Sequence, residues 1–304
     1  MKTLRRIGLV TFVLFIIGFG MASYVGPRMI IEINNEVYKS RAGTKGTFPK
    51  PSDYDLKSEP ISFVSKDGLR LKALLLRTDS LKPKGTIIMV HGIRAYKERF
   101  IPISKQITDK GYHVVLPDLR AHGESEGQYC TFGNKEKYDV SCLIDSLNAL
   151  PNISANYIIW GQSLGAAVSL QALAIDNRIK LGIIESTFAD YRQIVHDYSK
   201  NTLGFEARYL VDYFIWLSEL IGDFKADETV PSKAAQQINQ PVMVVHGKQD
   251  QRIKIEYGQL NYNNLASTQK QFIKLDEANH LNVWHVGGDA YFNKVFSFIE
   301  ENLQ

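Results

Sequence analysis

Beyond residue 58 the apolar positions fall into two kinds of run that alternate along the chain. I-S-F-V-S-K (61–66) and L-R-L-K-A-L-L-L-R (69–77) read as two strands, and the Asp67-Gly68 pair between them is a hairpin signal. T-I-I-M-V (86–90) is apolar without interruption, the pattern of a strand covered on both faces. Residues 97–110 predict a helix ending at Gly111. Strand Y-H-V-V-L-P (112–117), a helix near 135–149, strand Y-I-I-W (157–160) and a helix from Ser163 follow. L-G-I-I-E (181–185) and P-V-M-V-V-H (241–246) are two more buried strands. A helix near 254–266, strand F-I-K-L (272–275) and a helix from about 288 to 302 complete the series. Alternation of this kind predicts an α/β fold, a doubly wound and mostly parallel sheet with helices on both faces and the antiparallel hairpin at one edge.

Two stretches break the rhythm. Residues 187–238 separate two strands by far more than one crossover helix. Phe205, Tyr209, Leu210, Tyr213, Phe214, Leu217 and Ile221 recur there at helical spacing. A helix pair packed on the body and a lid over a site both fit, and Phe214 and Trp216 are candidate substrate-lining residues. The other stretch is the N-terminus, where a basic Met1–Arg6 precedes a charge-free run from Ile7 to Val25. That run is about as long as a bilayer-spanning helix. It reads as an uncleaved membrane anchor over residues 1–25, with a signal peptide cut near Gly20-Met-Ala22 as the alternative. Lys2, Arg5 and Arg6 favour a cytoplasmic N-terminus, so either reading sends the body out of the cytoplasm: membrane-anchored, or secreted or periplasmic after cleavage. Residues 26–58, with Pro27, Pro49 and Pro51, read as a linker, and residues 59–304 as one domain that includes the insertion at about 187–238.

Composition adds little beyond this. At 304 residues, 44% hydrophobic and 22% charged, the chain is an ordinary globular one with apolar residues enough for a core. The net charge of +4 includes Lys2, Arg5 and Arg6, so the body carries about +1 and has no basic excess for nucleic acid. Cys130 and Cys142 form no CxxC or Cys/His cluster, which speaks against zinc. Two free thiols are expected, with a disulfide as the alternative in an oxidising compartment.

The chemistry concentrates at Y-I-I-W-G-Q-S-L-G-A-A-V (157–168). A strand stops at Gly161, Ser163 follows, and a helix begins at once. A serine on such a turn stands exposed above the sheet edge. Gly161 and Gly165 are needed because a Cβ at either place would meet the neighbouring strand or helix. The helix N-terminus points its N–H groups at the site, and the N–H of Leu164 can stabilise an oxyanion. A serine hydroxyl needs a base, and the base an orienting acid. Asp250 follows the 241–246 strand and His280 the 272–275 strand, in the chain order Ser, Asp, His. The three fall at C-terminal strand ends, where open α/β sheets build their sites. H-G-I-R (91–94) follows the 86–90 strand, and its Ile93 N–H is the second candidate oxyanion donor. His91 reads as a structural residue of that turn. His285 is a rival base, but it lies where the chain approaches its last helix.

On V-H-G-I (90–93), D-L-R-A-H-G-E-S (118–125), G-Q-S-L-G (161–165), H-G-K-Q-D (246–250) and A-N-H (278–280), the chain resembles the α/β-hydrolase superfamily from about residue 60 onward. It looks most like the serine-aminopeptidase and monoglyceride-lipase-like branch, with Ala121 where that branch often has glycine. The resemblance implies ester, thioester or amide hydrolysis on a small-molecule or lipid-like acyl substrate with no cofactor and no metal. It assigns Asp118, Arg120 and His122 to supporting the loop beside the site. An acyl-ester hydrolase is the leading expectation. A peptidase, thioesterase or acyltransferase on the same residues, and a non-enzymatic anchored binding protein, are the alternatives.

Overall fold

The computed structural model describes residues 2–33, 38, 40 and 48–303. Its centre is an eight-stranded sheet: β1 (Lys57–Val64), β2 (Arg70–Arg77), β3 (Gly85–Val90), β4 (Tyr112–Pro117), β5 (Tyr157–Gln162), β6 (Ile179–Glu185), β7 (Val242–Gly247) and β8 (Lys270–Leu275). The spatial order is β1-β2-β4-β3-β5-β6-β7-β8. β1 and β2 pair antiparallel, as do β2 and β4, and every later pair is parallel. The Asp67-Gly68 turn joins the first two strands, with Gly68 at a φ of 88° that suits glycine.

Alternation along the buried strands builds a core on each face. Ile88 and Val90 of β3 and Val242 and Val244 of β7 enter one cluster. Their neighbours Ile87, Met89, Met243 and Val245 enter the other. Helices α3 (Glu136–Asn148) and α4 (Leu164–Ile175) cover the first face, while α2 (Ile101–Asp109) and α9 (Val283–Asn302) cover the second. The last helix starts earlier than the apolar pattern implied. Val283–Asn302 joins two helical pieces across Gly288, whose φ of 50° breaks the periodicity there.

The expected insertion is α5 (Tyr191–Leu203), α6 (Arg208–Gly222) and the short α7 (Pro231–Ala235), with α8 (Ile255–Asn264) after β7. The N-terminal segment departs from its expected boundary. α1 runs from Lys2 to Ile31 as one helix, through Pro27 and into the stretch read as linker. It continues because its last turns find a partner: Ile31 is fully buried in the core, the Gly222 backbone packs on Ile31, and the Ser218 hydroxyl donates to the Pro27 carbonyl. Residues 34–37, 39 and 41–47 of that linker lie outside the described residues. α1 is long and apolar enough to cross a membrane by length and composition, and the apolar window in it is not buried against the protein.

Ala121, where the resemblance leads one to expect glycine, sits at a φ of 62°. A side chain in that left-handed region costs about 1 kcal/mol. Ala121→Gly is therefore expected to raise stability by up to about 1 kcal/mol, less the entropy that glycine gains in the unfolded chain. A differential scan of the two proteins reads this as an upward shift of about 2 °C, and a lowered midpoint contradicts it.

Candidate active site

β5 passes into α4 through a single residue, Ser163, held at φ 56° and ψ −118°. The turn is that tight because the helix lies directly on the strand ends. A Cβ on Gly161 would come 2.3 Å from the Gly165 carbonyl oxygen, and one on Gly165 would come 2.0 Å from that of Val90. The Ser163 N–H donates to the Glu185 carbonyl at 2.9 Å, tying the turn to the end of β6. The Ser163 side chain projects to His280, and its hydroxyl lies 2.9 Å from Nε2. His280 Nδ1 lies 2.7 Å from Asp250 Oδ2. One tautomer makes both contacts: Nδ1–H donates to the carboxylate, and Nε2 accepts from the hydroxyl.

The loops that carry the acid and the imidazole are fastened to each other. The Lys248 N–H donates to Leu275 O and the Gln249 N–H to Ala278 O, each at 2.9 Å. Gly247 is required at this crossing, since a Cβ there would come 2.2 Å from Ala278 O. Asp250 Oδ1 accepts from the backbone N–H groups of Arg252 and Ile253, both at 2.9 Å. Burial disfavours its charged form, but the His246 and His280 side chains and the Ile253 N–H outweigh burial and hold the carboxyl well below the usual carboxylate range. His285 lies on the exposed surface of α9, away from this chain of contacts.

The β3–α2 loop comes up beside the serine. A Cβ on Gly92 would stand 3.3 Å from the Ser163 Cβ. This brings the Gly92-Ile93 turn next to the start of α4, where Leu164 leads the helix with an N–H that has no intrahelical acceptor. His91 anchors the loop: its Nδ1–H donates to Gly92 O at 2.8 Å, and its Nε2 accepts from the Leu119 N–H at 3.1 Å. Asp118 accepts from the backbone N–H of Lys97, the Lys97 ammonium and the backbone N–H of Glu124. Arg120 is clamped between Asp139 and Asp67. His122 Nδ1–H donates to Arg120 O at 2.9 Å.

Phe214 and Trp216 lie on α6. The Phe214 ring lies on the Gly26 backbone of α1, and Trp216 stacks on Tyr213 with half its surface in solvent. α1 thus covers Phe214, while the Trp216 contact is within α6 itself. Another insertion residue lies within electrostatic reach of the site. Burial raises the pKa of the Tyr198 phenol on α5, and the charges of Arg252, Asp250 and Arg94 act on it. Both cysteines are free thiols. Among the described residues no group of three His, Cys, Asp or Glu side chains is placed to hold a metal ion.

Glu185 is the residue that sequence reasoning passed over. It closes β6 beneath the serine turn and is fully buried. Its carboxylate accepts from Trp160 Nε1 at 2.7 Å, from Trp284 Nε1 at 2.8 and 2.9 Å, and from the Tyr291 hydroxyl. Burial raises its pKa against these donors. Trp284 and Tyr291 belong to α9, so the carboxylate fastens the helix that begins three residues after His280. The available signal was a carboxylate ending an otherwise apolar run, L-G-I-I-E. Lys97, buried under the Gly92 loop, carried no comparable signal.

These strands, crossovers and strand-end loops make the α/β-hydrolase fold, and the chain is similar to members of that superfamily. A family model described as serine aminopeptidase, S33, matches residues 81–219. Thiohydrolase aneE of Aspergillus aculeatus is 33% identical over 139 residues, a match that takes in 43% of each chain. A protein named YfhR in Salmonella typhi, itself uncharacterized, is 25% identical across 98% of this chain and 97% of its own. Among solved structures, a Pyrococcus furiosus esterase superposes with a TM-score of 0.70 at 22% identity, covering 84% of this chain and 95% of the esterase.

Two outcomes are expected from this local chemistry. Glu185→Ala leaves the Trp160 N–H buried without an acceptor and should cost roughly 3 kcal/mol or more of stability. Urea unfolding measures this, and an unchanged midpoint contradicts it. The second outcome concerns acid. Burial lowers the His91 pKa to about 4, and burial together with the neighbouring His91 ring lowers that of His122 to about 3. Both pKa values lie below that of an unfolded histidine, about 6.5. Above that pH both states are neutral and nothing is lost. As the pH falls below it, the unfolded chain binds protons that the folded chain refuses. Unfolding free energy should therefore drop by a few kcal/mol between about pH 6.5 and pH 4. A flat profile across that window, by urea titration, contradicts it.

Proposed function

We propose that the chain is a serine hydrolase that cleaves an acyl ester through an acyl-enzyme. The observation that carries this reading is the continuous contact from the strained Ser163 through His280 to Asp250. Ser163 Oγ attacks the acyl carbonyl while His280 Nε2 takes its proton. Asp250 holds the imidazole in the required tautomer and stabilises the imidazolium. The N–H groups of Leu164 and Ile93 receive the negative charge that develops on the carbonyl oxygen. His280 then returns the proton to the leaving alcohol, and water repeats the cycle on the acyl-enzyme.

The leaving group is the open element of this reading. The likeness to a thiohydrolase and the S33 match favour a thioester or an amino-terminal peptide as the second reading. A panel of p-nitrophenyl esters, acyl thioesters and aminoacyl anilides ranks the three. α1 is proposed to anchor the chain in a membrane, with Lys2, Arg5 and Arg6 on the cytoplasmic side and the catalytic body outside. Protease added to right-side-out vesicles then digests the body, and complete protection reverses this orientation.

Ser163→Ala is expected to abolish fluorophosphonate labelling and to lower kcat/KM on a short-chain p-nitrophenyl ester by about a thousandfold or more. His280→Ala should fall comparably. His285→Ala should keep most of its rate, because that side chain lies on the surface of α9. An inactive, folded His285→Ala beside an active His280→Ala contradicts the assignment.

A further inference from the structure

The N-terminal helix and the insertion are held in a fixed register. The Phe19 ring stacks on Tyr213 at 5.6 Å, and the Tyr213 hydroxyl bonds the Ser23 hydroxyl at 3.0 Å. Further along, Gly26 meets Phe214, the Ser218 hydroxyl donates to Pro27 O, and Gly222 meets Ile31. Each step forward on α1 is a step forward on α6, so the two helices run side by side in the same direction. Their C-terminal ends are embedded in the body. The N-terminal end of α6 and the α5–α6 corner therefore extend the way α1 leaves the body, along its charge-free stretch.

That corner carries an apolar surface that no described residue covers. Tyr209 is 90% exposed and Phe205 61%. Tyr209, Tyr213, Trp216 and Leu220 follow at spacings of four, three and four, which lines them on one face of α6. Tyr213 in that row touches α1, so the row continues the apolar surface of α1. Two ion pairs flank the row and reduce its charge: Lys200 with Glu206, and His196 with Asp212. A tyrosine and a tryptophan beside such pairs have the composition of a membrane–water boundary.

We propose that this face of α6 and the α5–α6 corner lie in the outer leaflet of the same phospholipid bilayer that α1 is proposed to span. The helical insertion is then a membrane-seated cap. α5 links it to the loop after β7 and to α8: the charges of Arg252 and Asp250 act on the Tyr198 phenol, and Tyr257 of α8 donates to Asp197 at 2.5 Å. An acyl chain dissolved in the bilayer reaches Ser163 along the cap without crossing water. This last step rests on the hydrolase reading above, whereas the seating of the cap does not.

The test uses the full chain in phosphatidylcholine vesicles. A polarity-sensitive NBD dye is attached at Tyr209→Cys in a Cys142→Ser background, since Cys130 is buried. Leu81→Cys is the control, 99% exposed in the loop before β3. The dye at 209 is expected to shift to the blue and to be quenched by brominated acyl chains, and the dye at 81 to do neither. A dye at 209 that behaves like the one at 81 overturns the proposal. So does a blue shift without bromine quenching, which means that another protein or a second copy of the chain covers the face. In the kinetic arm, Phe205→Asn with Tyr209→Asn should lower turnover of a long-chain acylglycerol in vesicles about tenfold. A soluble short-chain ester should be cleaved as before. Equal rates on the vesicle substrate overturn the delivery step. If the parent chain hydrolyses neither substrate, the hydrolase reading fails while the dye result stands on its own.

Discussion

The distance between β3, β5 and α4 is the constraint on which the site depends. β5 turns into α4 over one residue, and the helix backbone lies against the Val90 and His91 carbonyls so closely that no Cβ fits at Gly165. The only way to close such a turn is to push its central residue into left-handed space, and Ser163 bears that strain at φ 56°. The strain persists because the surroundings hold the turn from several sides. The Glu185 carbonyl accepts the Ser163 N–H, the Ser163 carbonyl accepts from Ala166 and Ala167, and both core clusters press on the strands beneath. A serine presented this way has little freedom left, so the imidazole has one hydroxyl position to meet.

The remaining groups reach that position through the sheet. Parallel strands β3 to β8 all end at the same edge, so six loops converge there. Each loop is then trimmed by a buried polar group: His91 and Asp118 for the Gly92 turn, the 247–250 and 275–278 crossing for Asp250 and His280, and Glu185 for the start of α9. Burying a carboxylate such as Glu185 is costly unless its lone pairs are filled. Trp160 and Gln162 of β5 and Trp284 and Tyr291 of α9 fill them, from one strand and one helix. The same groups that hold the geometry make the neutral histidines liable to acid, since a protonated His91 ring would turn a second N–H against that of Leu119.

At the other end of the chain, the N-terminal helix and the insertion have one surface between them. An apolar helix leaving a folded body usually does so through a flexible tether. Here α1 ends inside the core at Ile31, and α6 accompanies it outward, so the direction of α1 and the position of the insertion are mechanically coupled.

The sequence alone determined the fold class, the strand–helix order and the identity of Ser163, Asp250 and His280 as the candidates to come together. These follow from local rules: apolar periodicity is set by which faces are buried, glycine marks backbone that cannot carry a side chain, and strand ends in an α/β sheet share one edge. Gly161, Gly165 and the D-G hairpin could be read because each acts within a few residues. What only the tertiary structure decided involves partners far apart in the chain. Glu185 looked like the last residue of a strand until Trp284 and Tyr291, about a hundred positions later, were folded onto it. Phe214 and Trp216 had the spacing of a buried helix face, but periodicity names a covered face without naming its cover, and α1 is what lies against Phe214. The end of α1 shifted from Val25 to Ile31 for the same reason: a helix stops where its contacts stop, and the contacts with α6 lie nearly two hundred residues away.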